Sequence, residues 1–207
     1  HSPLLVQLQP KFEPMKVNTA ISFLLSGISF LLLTYPRYKQ YSFWAALLMS
    51  ILPILTMCEY LFKVNLGIDN FLLEPFVHGF RSHADRMSAN SSLAFILTAA
   101  ALIIFDKLPN HMTASQSFLL AVLGSIIIAM GASPFLNYAA YSGEFYVWTL
   151  MEGMAFHTGI GFLLIGIFFF LNAWHAQSGT PLWAPIPIFV LLGAATLSLW
   201  STERTKD

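Results

Sequence analysis

Three polar side chains occupy matching places in this sequence. Asn18, Asn90 and His157 each follow a methionine by three residues and each precede a hydroxyl residue, Thr19, Ser91 or Thr158. An amide or imidazole beside a hydroxyl can accept hydrogen bonds from the first free amides of a helix. The same groups, brought together, can instead form a polar ring that holds a ligand. Capping is the plainer of these two readings. Two carboxylates extend the candidate ligand-binding set. Glu59 directly follows an apolar run, where an ionisable group is a functional candidate, although snorkelling to the interface is its ordinary behaviour. Glu152 lies just before His157, and an imidazole beside a carboxylate can respond to pH. The set is therefore Asn18, Glu59, Asn90, Glu152 and His157.

Other chemistry is missing. His78, His83 and Asp85 share one polar stretch, but their spacing defines no zinc site, and a solvated loop explains them better. His111 and His175 fall in expected turns. There is no nucleophile–base pairing, glycine-rich phosphate loop or HExxH pattern. No catalytic residue, metal or cofactor is expected, so the chain reads as a non-enzyme. The apolar stretches carry no central charge for an ion pump and no lysine for a Schiff base.

The elements that must position these residues follow from composition. Apolar residues make up 57% of the 207, aromatic residues 15% and charged residues only 10%. A soluble domain carries about 25% charged residues. This composition excludes a water-soluble fold and intrinsic disorder. Ten basic and ten acidic residues cancel, so no charged face points to nucleic acid. A spanning helix needs roughly 20 apolar residues, and a charge at its centre costs about 2.5–3.5 kcal/mol. Stretches free of Asp, Glu, Lys and Arg then predict six spans, at 17–36, 40–58, 90–105, 117–135, 157–174 and 183–200. Tyr35, Tyr38, Tyr41, Trp44, Trp174, Trp183 and Trp200 lie at their edges, where amphipathic rings favour the headgroup level. The lone Cys58 allows no intrachain disulfide.

The strongest pattern is self-similarity. The segments beginning Met15-Lys16-Val17-Asn18-Thr19, Met87-Ser88-Ala89-Asn90-Ser91 and Met154-Ala155-Phe156-His157-Thr158 align without gaps. Phe23, Phe95 and Phe162 then coincide. Each segment opens a helix that turns and returns as a second. The expected fold class is all-α, a polytopic membrane protein of six transmembrane helices arranged as three tandem helical-hairpin repeats. Residues 1–14 form an N-terminal tail, whose His1-Ser2-Pro3 start reads as processed or truncated. Residues 15–85 form the first hairpin with an interfacial segment, 86–153 the second with an aromatic interfacial segment, and 154–207 the third with a polar tail. Ala20, Ser92 and Gly159 match in the alignment, as do Gly27, Ala99 and Gly166. Small residues let helices approach closely in lipid. The odd-numbered helices are expected to pack innermost, with bulkier even-numbered helices outside. The connectors 59–86 and 134–153 are too apolar for solvated loops and read as interfacial segments, roofing a shallow pocket over the helix starts.

The runs Pro14-Met15-Lys16-Val17-Asn18-Thr19-Ala20, Glu59-Tyr60-Leu61-Phe62 through Asn65-Leu66-Gly67-Ile68-Asp69, and Arg86-Met87-Ser88-Ala89-Asn90 resemble the multi-helix membrane input modules that precede PAS, histidine-kinase and diguanylate-cyclase domains in bacteria. The resemblance covers most of residues 10–175. It implies a sensory module of the bacterial inner (cytoplasmic) membrane, multi-pass, without catalysis of its own and coupled to a cytoplasmic output domain. Those modules usually carry one more helix before the first motif.

Two functions follow as expectations. The first is a ligand-responsive sensory input for signal transduction, taking a small apolar or lipid-like ligand. The alternative is a structural accessory subunit of a larger membrane complex, with other membrane polypeptides as partners besides the lipid bilayer. A solute carrier lacks the interrupted midplane helices it would need. Seven lysines and arginines fall on the side of the helix starts and three, Arg37, Lys39 and Lys107, on the turn side. A plain count favours cytoplasmic helix starts, but short loops weigh most, and the tight turn with Arg37 and Lys39, like the family resemblance, points the other way. The expectation is therefore cytoplasmic hairpin turns. With Cys58 replaced, a cysteine at position 39 should be blocked by impermeant thiol reagents only from the cytoplasmic face, and one at position 69 only from the opposite face.

Overall fold

A segment that crosses lipid must have its backbone polar groups satisfied without water, which only helices and closed barrels achieve. The computed structural model describes residues 13–69, 86–107, 112–140 and 154–176, together with positions 189 and 193. Its elements are α1 (Val17–Thr34), α2 (Lys39–Phe62), α3 (Ala89–Lys107), α4 (Ala114–Ala140) and α5 (Phe156–His175). No strand occurs among the described residues. All five helices are long and apolar enough to cross a membrane. The expected sixth span, 183–200, lies outside the described residues except for the helical positions Phe189 and Gly193.

One span boundary moves. The second span does not stop before Glu59: α2 continues to Phe62, and Lys63 ends it in the left-handed conformation at φ 54°. The fourth candidate span, Ala114–Phe135, ends where expected, although the helix itself continues through Pro134 to Ala140. A proline inside a membrane helix removes one ladder bond without ending the helix when surrounding groups compensate. The interfacial helix expected after Glu59 is absent from Lys63–Asp69, which is a turn. The remainder of that connector to 85, and residues 141–153, lie outside the described residues.

The chain divides into two units, His1–Asp106 with Val147–Thr158, and Lys107–Tyr146 with Gly159–Asp207. In the first unit, α1 and α2 form a hairpin across the turn Tyr35–Tyr38, where Tyr38 N–H donates to Tyr35 O at 2.9 Å with Pro36 at its usual second position. This hairpin is built inside out. The buried residues of α1 are Asn18, Thr19, Ser22, Ser26 and Ser29, while Leu24, Ile28 and Leu31 are exposed. On α2, Ser42, Ala46, Met49, Ser50, Pro53, Thr56 and Glu59 are buried and Trp44, Leu48, Ile51 and Ile54 are exposed, so Met49 is the one large apolar side chain turned inward. Small residues allow close approach, and hydroxyls bond within or across helices. Ser29 Oγ lies 2.8 Å from Ser42 Oγ and donates toward Ser42 O at 3.1 Å. Such an arrangement suits a bilayer, where outward leucines cost nothing. The exposed Tyr35, Tyr38, Tyr41 and Trp44 gather at the turn end, as expected of an interfacial belt. α3 contributes Phe95, fully buried and edge-on to Phe23 at 4.8 Å between ring centroids.

In the second unit α4 and α5 meet along glycines. A Cβ on Gly124 would lie 2.9 Å from Gly166 O, and one on Gly131 would lie 2.9 Å from Gly159 O. Ser117 Oγ donates to Ala173 O at 2.6 Å, completing an antiparallel seam of small residues in heptad spacing. Gly159 and Gly166 thus pack as expected of an odd-numbered helix. Their partner, however, is an even-numbered helix with glycines of its own, so the division into small inner and bulky outer helices fails. The aligned small residues also part company: Gly166 has no room for a side chain, whereas a Cβ added at Gly27 would meet nothing within 4 Å beyond its own helix. Gly166→Ala is expected to destabilise the protein by about 1–3 kcal/mol through overpacking against backbone, and Gly27→Ala to leave it unchanged. Thermal unfolding in detergent checks both.

Candidate functional site

The turn after α2 creates the site. Lys63 at φ 54° and Gly67 at φ 71° reverse the chain, and Asn65 Oδ1 accepts from Gly67 N–H at 2.9 Å, an Asx turn. The reversal returns Leu66 N–H to Glu59 Oε1 at 2.7 Å. It also presents Ile68 O to Asn18 Nδ2 at 3.2 Å and delivers Asp69 to Arg86, the residue preceding the second copy of the repeated segment. The start of α1, the end of α2 and the approach to α3 are therefore tied together through one seven-residue turn.

Arg86 is the centre. Its side chain is 5% exposed, and Nε lies 3.1 Å from both Glu59 Oε2 and Asp69 Oδ2. The single Nε–H is directed at Asp69, so the Glu59 contact is electrostatic rather than a hydrogen bond. The guanidinium lies over the Tyr60 ring at 5.6 Å, a cation–π arrangement, and Tyr60 Oη donates to Met87 O at 3.2 Å. Glu59 is wholly buried. It does not snorkel, because α2 continues past it and the turn folds back over it. A buried charge of this kind persists only when paired.

The arrangement is incompletely satisfied. Asn18 Oδ1, Glu59 Oε2, Asp69 Oδ1, Arg86 Nη2 and Thr56 Oγ1, the last on α2 a turn before Glu59, are buried without a hydrogen-bond partner among the described residues. Beside the site, Lys16 and Glu13 pair at 3.1 Å with little exposure. Buried polar atoms are nearly always partnered by protein or water, so such a concentration marks a place where something polar can bind.

The sequence-derived candidates separate. Asn18 and Glu59 join the same cluster. Asn18 does not cap: the residue before α1 is Lys16, which offers no side-chain cap, and the Asn18 amide bonds the turn instead. In the second copy the cap is Ser88, whose Oγ accepts from Ser91 N–H at 3.1 Å. Asn90 is half-buried and makes no side-chain hydrogen bond among the described residues. His157 lies in the first turn of α5, within the first unit. Its Nε2 and Thr158 Oγ1 are buried without partners among the described residues, so neither is seen capping. Glu152 lies outside the described residues, as do His78, His83 and Asp85. Among the described residues no three His, Cys, Asp or Glu side chains gather as a metal site. Arg86, Asp69 and Tyr60 were not singled out as site residues. The available signal was that all three lie within the runs Glu59–Asp69 and Arg86–Asn90, and that Asn65 followed by Gly67 is a turn pattern.

Comparison with protein-family models, with curated proteins and with solved structures found no match. The site therefore stands on its own geometry. Arg86→Met leaves the buried Glu59 and the partly buried Asp69 without their cation and is expected to cost about 3–5 kcal/mol. Ser88→Ala should cost about 1 kcal/mol as a lost cap, and Asn90→Ala close to nothing. Denaturation midpoints of the three variants in one detergent test this order.

Proposed function

We propose that this chain is a non-catalytic membrane module that serves as a ligand-responsive sensory input. The observation that carries this reading is the buried Arg86–Glu59–Asp69 cluster with its unpartnered polar atoms. It joins three helix ends through one turn, so an occupant that completes or breaks its hydrogen bonds changes how those ends are held together. A ligand shifts a conformational equilibrium by its differential affinity for the two states, and a half-satisfied polar network offers a large differential. The resemblance of the segments around Asn18, Glu59 and Arg86 to bacterial input modules supports the same reading and implies a bacterial inner-membrane location with an output domain as partner. The absence of a nucleophile–base pairing or phosphate loop in the sequence supports a module without catalysis.

A second reading, an accessory subunit of a larger membrane assembly, is favoured by one feature of α1. Ala20 and Gly27 are exposed seven residues apart, and this spacing suits a partner helix. Spin labels at Ala20 and Leu61, both exposed, with Cys58 replaced, report the separation of the α1 start from the α2 end. Under the sensory reading Asp69→Asn redistributes the distances, and so does a small-molecule fraction of native membranes. A single distance unmoved by either, together with a stoichiometric cross-linked polypeptide in native membranes, decides for the accessory subunit.

A further inference from the structure

The polar inventory of the cluster specifies the kind of molecule it would take. Glu59 and Asp69 carry two negative charges against the single positive charge of Arg86. Lys16 is paired with Glu13, and Lys63 is exposed to solvent. Among the described residues the cluster thus keeps one uncompensated negative charge where water is largely excluded, and charge interactions there are strong. Most of the unpartnered atoms point in the same direction. Asn18 Oδ1, Glu59 Oε2 and Asp69 Oδ1 are acceptors, Arg86 Nη2 is a donor, and the Thr56 hydroxyl can be either. They belong to connected groups. Asn18 is held on Ile68 O, the neighbour of Asp69, and Asp69 and Glu59 both face Arg86 Nε. Asn18, Glu59 and Arg86 are at least nine-tenths buried.

We propose that Asn18, Glu59, Asp69 and Arg86 form a binding site for a primary ammonium group with an oxygen acceptor beside it, the chemistry of an amino alcohol. This rests on the ligand-responsive reading above. An ammonium supplies three N–H donors for the three orphaned acceptors and neutralises the surplus charge. The adjacent oxygen accepts from Arg86 Nη2. An anion adds to the surplus negative charge. A quaternary ammonium brings charge without donors, and a neutral diol brings donors without charge. The site lies at the ends of spanning helices, so the same head group can arrive as a free amino alcohol or on an aminated lipid.

The test uses the full chain in phosphatidylcholine nanodiscs, with thermal unfolding and calorimetric titration as readouts. Ethanolamine should raise the unfolding temperature and bind saturably, whereas ethylene glycol and tetramethylammonium at equal concentration should do neither. Asp69→Asn should weaken ethanolamine binding by roughly tenfold or more. With Asp69 neutralised the surplus charge is gone, so Asp69→Asn should also lose the preference for ethanolamine over ethylene glycol while its helical circular dichroism stays unchanged, which separates lost binding from misfolding. Replacing part of the phosphatidylcholine with phosphatidylethanolamine separates the sources: stabilisation sensitive to Asp69→Asn without free ethanolamine identifies the lipid head group. If ethylene glycol or acetate stabilises in an Asp69-dependent manner and ethanolamine does not, the amine assignment falls while the ligand-responsive reading stands. If no probe acts on the folded wild-type chain, the amine assignment is overturned, and distances unmoved in the spin-label experiment would remove the sensory reading with it.

Discussion

The guanidinium of Arg86 is held between two carboxylates and above a tyrosine ring, in a place with little access to water. Most of the first unit's local geometry at that end is arranged around this fact. Glu59 is tolerable inside α2 only because Arg86 and the Leu66 amide face it. The left-handed Lys63 and Gly67 make the reversal that brings Leu66 and Asp69 into reach. Asn18 then locks the turn to the start of α1. Removal of any one group leaves another buried and unpaired, and a network of this kind is stabilising only as a whole.

The rest of the described helices obey a different constraint. In lipid an outward leucine gains nothing by moving inward, so helices associate through close approach and hydrogen bonds. The two units answer this in different ways. The α1–α2 hairpin buries serines and threonines, several of which bond back to carbonyls of their own helix, as Ser22 does to Asn18 O at 2.8 Å. The α4–α5 pair removes side chains altogether along Gly124, Gly131, Gly159 and Gly166. Aligned positions of the repeated segment consequently have different surroundings, Gly27 open and Gly166 closed, although the residues match.

Helix caps show how far local patterns carry. Thr113 and Gln116 form a reciprocal capping box at the start of α4, with Thr113 N–H donating to Gln116 Oε1 at 2.9 Å. That pattern is written in four consecutive residues and was open to reading. Ser88 caps α3 by accepting from Ser91 N–H, and its hydroxyl donates to Ser91 Oγ at 2.9 Å, whereas the repeated segment points to Asn90. Alignment of three segments identifies where helices begin. It does not say which of several polar side chains faces the free amides, because that depends on the backbone of the residue before the helix.

The sequence alone determined that the chain is helical and apolar enough to cross a membrane, since length and the absence of internal charge are local properties of each segment. It also located five of the spans and singled out Asn18 and Glu59. Tertiary structure alone decided that these two residues share a turn, that Arg86 and Asp69 complete their surroundings, and that α2 continues past Glu59 instead of ending before it. Those outcomes depend on a backbone reversal at Lys63 and Gly67 and on contacts between residues far apart in the chain. No periodicity encodes such contacts, because the energy that fixes them is the cost of leaving a buried charge alone.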